Sequence, residues 1–259
     1  MGMETVYNGE ERERRVKNMK KTISITFLEL EKLLKKREFL LGLLMSLVMG
    51  GGMAYGAYAF PESFGVHNVI AFFGNFSSIL IMFLAAKSLG EEFDLKTATF
   101  VFTSRSSRIQ IATAKIVSIA LADMLIGLCG GILYDVAIVI CAQPWTVSGL
   151  LAVIGKEILI YMIYGFAIGA TAVMIACVCN STIMPFIYLI VLFWVMPSIL
   201  QMMGQKIAGL DKVMDYVLFC QSDQFLLYQD WSARNIAVFL VTGIAFSIVG
   251  MGILQKKDL

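Results

Sequence analysis

Six long apolar runs alternate with polar segments along this chain. They cover residues 39–60, 66–86, 116–141, 158–178, 182–203 and 236–254, and each is at least 19 residues long. A helix of that length, rising about 1.5 Å per residue, crosses the roughly 30 Å of hydrocarbon in a bilayer. The pattern therefore predicts an all-α, polytopic membrane protein whose single membrane domain, residues 39–259, contains six transmembrane helices.

Residues 19–38 have a different, helical period. Their apolar side chains recur every three or four positions: Met19, Ile23, Phe27, Leu30 and Leu34. Lysines and glutamates fill most of the remaining circumference, which predicts an amphipathic interfacial helix lying along the membrane surface. A soluble helix that binds a partner is the alternative. Residues 1–18 are highly charged and are predicted to be a disordered or loosely helical extension.

The longest segment on the opposite side of the predicted bilayer is 204–235. Its apolar positions between Ile207 and Leu218 are helically spaced, and the aromatic residues Phe225, Tyr228 and Trp231 follow. Aromatic side chains of this kind are common at membrane interfaces. The segment is predicted to be a helical hairpin or a re-entrant cap, with an amphipathic surface loop as the alternative.

Composition and charge support this topology. The chain is 58% hydrophobic and 15% charged, which is too little polar surface to cover a soluble globule. Of the 21 Lys and Arg residues, 17 fall on the side that holds both termini and the segment 87–115. The positive-inside rule therefore predicts a multi-pass protein of the cell membrane with both termini in the cytoplasm.

Candidate chemistry is sparse. Nothing matches a phosphate-binding loop, and His67 is the only histidine, so no catalytic residue is predicted. Cys177 and Cys179 lack nearby His or Cys partners, so neither a metal site nor a cofactor is predicted in this chain. No nucleic-acid partner is predicted either. If the protein uses ATP, another chain has to bind it.

Asp123 and Asp135 are the charged residues inside the predicted spans. Each costs on the order of 2.5–3.5 kcal/mol at a helix centre, so both should face protein or water. They are about 18 Å apart along the helix and about 120° apart around it, so they do not form one site by themselves. Asp135 and Lys156 are predicted to lie at a similar depth on the outer side, where they could form an ion pair. Two interpretations remain: helix positioning by buried polar contacts, or a translocation or proton path.

Other polar or aromatic groups inside the spans are further candidates for a translocation path. Pro185 and Pro197 frame Trp194, where a kink would line a cavity. The full candidate set is Asn68, Asn75, Asp123, Asp135 and Trp194.

The polar segment 89–115 is the main interruption on the basic side. Its first half is acidic, with Glu91, Glu92 and Asp94, and its second half is basic, with Arg105, Arg108 and Lys115. It is either a docking surface for a partner or a simple connecting loop.

The residues Glu92–Thr97, followed by Thr103–Arg108 and then Lys115, resemble the cytoplasmic loop of ABC-2 type transporter permeases. In that family an acidic residue, a Gly-Thr pair, a Pro-x-Ser-Arg turn and a later Lys recur. Lys96 stands here where the family has Gly, and Thr103-Ser104 stands where the Pro is expected. The order of elements is also similar over nearly the whole chain, and it looks most like small peptide-exporter and bacteriocin-immunity permeases, including phenol-soluble modulin exporters.

The resemblance implies the membrane subunit of an ATP-driven exporter of amphipathic peptides. A cytoplasmic coupling helix at Glu91–Thr97 would sit in a groove of a separate ABC ATPase subunit, which binds ATP and Mg, with Phe93 as anchor. Glu91 and Glu92 would meet basic groups of the ATPase, and the turn Cys179–Thr182 would be a second contact. The implied coupling residues are Glu91, Glu92, Phe93, Asp94, Thr97, Arg105 and Arg108.

The implied partners also include a second permease copy or paralogue and membrane lipid. Two other functions remain open from the residues alone. One is a proton-coupled secondary transporter that uses Asp123 and Asp135. The other is a membrane scaffold or sensor that transports nothing.

Overall fold

The structure, a computed structural model, describes residues 3–97, 107–204, 206–207 and 209–257, with side chains from residue 19 onward except that of residue 211. Within these ranges the chain is helical and has no strand. The helices are α1 (Met3–Leu34), α2 (Arg37–Ala59), α3 (Asn68–Asp94), α4 (Arg108–Ile140), α5 (Val147–Cys179), α6 (Ile183–Ile190), α7 (Met196–Gly204), α8 (Leu210–Met214), α9 (Ser222–Leu226) and α10 (Ala233–Lys256).

Six helices are long and apolar enough to span a membrane, which confirms the predicted number of spans. They are α2, α3, α4, α5, the continuous unit α6–α7 and α10. α4 and α5 have 33 residues each, about 50 Å at the rise of an α-helix, so they extend beyond the hydrocarbon. Both helices begin earlier than the predicted spans, because each helix starts at a capping residue and continues through the charged residues that precede its apolar run. Ser107 forms a capping box with Gln110, and the Thr146 hydroxyl accepts from the backbone N–H of Gly149.

α1 is longer than the amphipathic pattern predicted. It begins at Met3, so the charged extension is helical and continuous with the amphipathic part, and it ends at Leu34 instead of residue 38. Met19, Ile23 and Phe27 are exposed, whereas Leu34 packs against the protein core. This exposed apolar ridge is the kind of surface that an interfacial helix presents to lipid.

The core is built around α5, which packs most extensively against α4 and α10. Close approach of α4 and α5 depends on glycines: a Cβ on Gly127 would lie 2.8 Å from the Cβ of Tyr161, and one on Gly169 would lie 3.3 Å from Ile119. Glycines of this spacing let transmembrane helices pack backbone against backbone. α3, α4 and α5 are therefore mostly buried, while α2, α6–α7 and α10 remain mostly exposed around them.

A π-helical segment, Val191–Val195, joins α6 to α7. Pro197 has no N–H for the carbonyl of Phe193, four residues earlier, and this missing hydrogen bond explains the local change of helix type. Trp194 lies in this segment and is 43% exposed. It therefore faces away from the fold and does not line an internal cavity.

The segment 204–235 forms short helices that pack onto the core. The ring of Phe225 stacks on Phe239 of α10 at 4.4 Å, and the hydroxyls of Tyr164 in α5 and Ser222 are 3.2 Å apart. The described part of this segment is thus a folded cap that packs against the middle of α5 and the N-terminal half of α10, in agreement with the predicted cap more than with a surface loop.

Candidate functional site

The charged side chains of the described residues concentrate at one end of the molecule. We call it the basic end, and it consists of α1, the link from α1 to α2 with the first turn of α2, the last two turns of α3, the first two turns of α4, the turn 180–182 and the C-terminal end of α10. All described ion pairs lie there except the one between Arg234 and Asp215. The predicted coupling residues that the structure describes, all but Arg105, also fall here, so this end is the candidate site.

Lys115 is at the centre of the basic end and has no exposed surface. Its Nζ donates to Glu29 Oε2 at 3.0 Å, to Glu92 Oε1 at 3.3 Å and to the carbonyl of Ser88 at 2.6 Å. These three partners satisfy all three protons of an ammonium group. A buried charge is tolerated only with such partners, so Lys115 ties α1, α3 and α4 together.

Glu92 is itself buried and receives two further hydrogen bonds. Lys32 Nζ donates to Oε1 at 3.1 Å, and the hydroxyl of Thr97 donates to Oε2 at 2.8 Å. Burial opposes the charge on Lys32, but the carboxylates of Glu29, Glu92 and Glu91 outweigh it and raise the pKa of Lys32. The network therefore consists of charged groups that neutralise one another.

Glu91 forms a second set of pairs beside the first. It pairs with Lys36, and its Oε1 lies 3.9 Å from the Nζ of Lys87. Lys87 in turn donates to Glu38 at 2.6 Å. The resemblance implied that Glu91 and Glu92 meet an ATPase, but in this chain both are paired internally and hold α1 and α2 to the end of α3.

The end of α3 is closed by its own backbone. Thr97 N–H bonds to the carbonyl of Glu92 and Lys96 N–H to that of Phe93, while Lys96 has φ +54°. This is the Schellman arrangement, whose left-handed position usually holds glycine. Lys96 is the residue that stands where the resembled family has Gly, so the structure gives that Gly a physical role. Glu91–Asp94 belong to α3 itself and do not begin a separate helix.

The last turn of α3 contacts the turn between α5 and α6. Asp94 Oδ2 accepts from the N–H of Thr182 at 3.1 Å. A Cβ on Gly90 would lie 2.5 Å from the Cα of Thr182, so only glycine permits this approach. The two segments predicted to contact an ATPase are therefore adjacent on one surface.

Phe93 lies on the inner side of this surface. Its ring packs against the buried cluster that includes Leu89 and Ile111, and Lys257 Nζ lies 4.8 Å from the ring centroid. Lys257 also contacts the carbonyl of Cys177 and Asn180 Oδ1. Burial lowers the pKa of Lys257. Phe93 is half-buried and contributes to the fold of this chain, and its role as an anchor for an ATPase stays a prediction.

Arg108 closes the end of α10. Its Nη1 donates to the carbonyls of Leu254 at 3.0 Å and Lys257 at 2.5 Å. A cation at a helix C-terminus satisfies carbonyls that have no partner within the helix. Arg105 lies outside the described residues.

In the first predicted contact segment Asp94, Leu95 and Lys96 are exposed, and in the second, Cys179–Thr182, Asn180 is exposed. Leu95 is 66% exposed, although it is a large apolar side chain next to charged ones. We call Asp94, Leu95 and Lys96, with the turn 180–182, the docking surface.

The predicted translocation-path residues are not brought together. Asn68 begins α3, and Asn75 Nδ2 donates to the carbonyl of Ala71 at 3.0 Å in the same helix. Asp123 and Asp135 are buried in α4, and Trp194 is exposed. No hydrogen bond joins any two of these five in the described part of the chain.

Asp135 does not form the ion pair with Lys156 that their predicted depth would allow. Its Oδ1 is buried without a hydrogen-bond partner among the described residues. The acidic residue that the sequence reasoning missed is Glu157, which is 1% exposed inside α5. The predicted span began at residue 158, so Glu157 was assigned to a polar flank. Its spacing of four and eight residues from Tyr161 and Gly165 would have placed it on the packed face.

The comparisons with known proteins give no identification: no protein-family description matches this chain, and no curated protein is similar to it. Within the described residues, no group of three or more His, Cys, Asp or Glu side chains is placed to hold a metal ion.

Proposed function

We propose that this chain is the membrane subunit of an ATP-driven exporter of the ABC-2 permease type, moving an amphipathic peptide out of the cytoplasm. ATP and Mg are bound by a separate ABC ATPase subunit. The observation that supports this most is the contact between Asp94 and Thr182, because it joins the two segments that the resemblance assigns to the ATPase. The basic end is then cytoplasmic, as the charge distribution predicts.

Docking on this surface would rest on Leu95. An exposed apolar side chain between charged neighbours can fill a pocket of a partner, while the charges set its orientation. Asp94 and Lys96 flank Leu95 and supply one charge of each sign. The turn 180–182 widens the surface beside them. Leu95 thus takes the anchoring role that the sequence assigned to Phe93.

The internal network gives the docking surface a mechanical connection to the membrane helices. α3 is continuous from Asn68 to Asp94, so a displacement of its last turn is carried into the bilayer. Lys115 and Glu92 couple the same turn to α1 and α4. Movement imposed by ATP binding would therefore reach three helices at once.

Two copies, or one copy and a paralogue, would enclose the peptide path. The mostly exposed faces of α2, α6–α7 and α10 are available to a second subunit and to lipid. A single chain with three buried helices leaves no room for a peptide inside its own core, so a path between subunits fits the architecture.

Proton-coupled secondary transport is the second candidate, and the buried acids in α4 and α5 favour it. Transport into inside-out membrane vesicles distinguishes the two candidate functions. The vesicles are prepared from cells that express the chain with its partner. We expect uptake of a labelled amphipathic peptide to require ATP and to survive collapse of the pH gradient. Uptake that continues without ATP, driven by an imposed pH gradient, would reject the exporter and support the secondary transporter.

A further inference from the structure

Three acidic side chains are buried in the membrane part of the fold with oxygens that lack partners. Asp123 has no exposed surface, and Glu157 and Asp135 are 1% and 8% exposed. Among the described residues, both carboxyl oxygens of Asp123, Oε1 of Glu157 and Oδ1 of Asp135 have no hydrogen-bond partner. Helix packing alone does not explain these unpartnered oxygens. An acidic side chain that only positions a helix would be expected to form a hydrogen bond with the neighbouring helix.

Two of the three acids, Asp123 and Glu157, lie in the seam between α4 and α5, and Asp135 follows further along α4. On α4, Asp123, Gly127, Gly131 and Asp135 follow one another at intervals of four, and Glu157, Tyr161 and Gly165 do the same on α5. A Cβ on Gly165 would lie 1.9 Å from Asp123 Oδ2. One on Gly131 would lie 3.4 Å from Glu157 Cβ. Asp123 and Glu157 therefore each lie against a glycine of the other helix, and Asp135 lies one turn beyond Gly131 on α4.

These glycine contacts fix the order of the groups along the seam. Asp123 is level with Gly165, and Tyr161 and Glu157 follow at steps of one helical turn, about 6 Å each. Asp135 comes one turn further. Tyr161 is within electrostatic range of both Asp123 and Glu157, and Tyr134 is within range of both Glu157 and Asp135. We call Asp123, Tyr161, Glu157 and Asp135 the acidic seam.

The acidic seam leads toward the end opposite the basic end. Beyond Asp123 in the other direction, Ile119 packs against Gly169, and the next polar side chain along α4, Ser118, donates to the carbonyl of Lys115. An apolar turn thus separates Asp123 from the ionic network.

The ionisable groups facing Asp123 are few. They are Tyr161 and Tyr164 of α5, and Lys115 lies about two turns away on α4 itself. The described ionisable residues of α2, α3 and α10 lie near the ends of those helices and do not reach this depth. No cationic side chain among the described residues is placed to keep Asp123 ionised, so a proton is the cation that neutralises its carboxylate.

We propose that the acidic seam is a proton path that opens at the end opposite the basic end and terminates at Asp123. A hydronium ion gives its proton to the carboxylate of Asp135 and leaves as water. The proton then passes to Glu157 and on to the hydroxyl of Tyr161, which is 2.8 Å from Ser77 Oγ of α3. The phenol oxygen accepts it, turns its own proton away from Ser77 and releases that proton to the Asp123 carboxylate. Steps of this length are bridged by single waters, which the unpartnered oxygens can bind.

This inference does not rest on the exporter proposal, because proton exchange at Asp123 is a property of the chain alone. Infrared spectroscopy of the purified protein in lipid nanodiscs measures it through the C=O stretch of protonated carboxyl groups after rapid mixing with D₂O. The band component removed by Asp123→Asn reports Asp123. We expect it to exchange promptly in the wild type and about tenfold or more slowly in Glu157→Gln and Tyr161→Phe, because each removes one relay group.

Ser118→Ala is the matched control, since Ser118 is buried on the same helix on the other side of Asp123. It should exchange at the wild-type rate. Wild-type exchange in Glu157→Gln, slowed exchange in Ser118→Ala, or the absence of an Asp123 component would each overturn the proposal. If Glu157→Gln does not fold, Asp135→Asn carries the same expectation. None of these outcomes bears on ATPase binding.

Discussion

At the scale of single residues, Lys96 shows how a local backbone requirement can be met at a cost. Its φ of +54° ends α3, and a side chain in this conformation is less stable than glycine by about 1 kcal/mol. The long lysine side chain is exposed there, so it forms no described contact that offsets the cost.

Lys96→Gly should therefore raise the free energy of unfolding by about 1 kcal/mol. Thermal unfolding of the purified chain in detergent measures it. Lys96→Ala is the control, since alanine removes the long side chain and keeps the Cβ, and it should give little gain. Equal effects of the two substitutions would show that φ at Lys96 does not limit the stability of this end.

The largest loss of stability that we predict at this scale follows from substitution of Lys115. Lys115→Met should destabilise the protein by roughly 3 kcal/mol or more, because Glu92 and Glu29 lose the buried ammonium group that they share and Glu92 keeps only the half-exposed Lys32. Adding Glu92→Gln should recover part of the loss. Chemical unfolding of the two single variants and the double variant gives the coupling energy. Additive losses would mean that the pair is not coupled in the folded state.

The sequence predicted that charged residues cluster at this end, but not which of them form ion pairs with one another. Glu92 and Lys115 are 23 residues apart, and Glu29 is 86 residues from Lys115. Spacing along one helix cannot reveal pairs of that kind, since they depend on how α1 packs across α3 and α4. The acidic cluster was therefore assigned to an outside partner.

At the scale of elements, the last turn of α3 has two faces with different roles. Phe93 packs inward against Leu89 and Ile111, whereas Leu95 is exposed. The sequence could not separate them, because both are large apolar residues in a short polar stretch and the bend after Asp94 decides which one is covered.

Phe93→Ala should consequently lower the free energy of unfolding by about 1–2 kcal/mol, less than for a fully buried phenylalanine. Leu95→Ala should leave it nearly unchanged. Thermal unfolding of both variants in the same detergent makes the comparison. A Leu95→Ala loss as large as that of Phe93→Ala would show that Leu95 is covered within the chain.

The transmembrane elements were predictable because hydrophobic length alone specifies them. The ends of these helices were not predictable in this way, because a helix does not stop at a charged residue. Arg108 and Lys115, for example, lie in the first turns of α4, before the apolar run begins. For the same reason Glu157 was left outside its span. Capping residues, here Ser107 and Thr146, mark the starts better.

At the scale of the whole molecule, the charge asymmetry predicts the orientation in the membrane. Leu95 at the basic end and Tyr228 on the cap over α5 and α10 are both strongly exposed, so they report the two sides. In a version without native cysteines, Leu95→Cys should resist an impermeant thiol reagent in intact cells, and Tyr228→Cys should react. The reverse labelling would invert the topology and remove the basic end from the cytoplasm.

The docking of an ATPase on the basic end is the central claim, and its association with variant chains tests it most directly. Tagged chains carrying Leu95→Ala or Leu151→Ala are purified together with an untagged ABC ATPase from native membranes. Leu151 is the matched control, an exposed leucine at the start of α5 on the opposite end. We predict that Leu95→Ala weakens association about tenfold or more and that Leu151→Ala does not. Unchanged association for Leu95→Ala, or no ATPase bound to the wild type, would contradict the account.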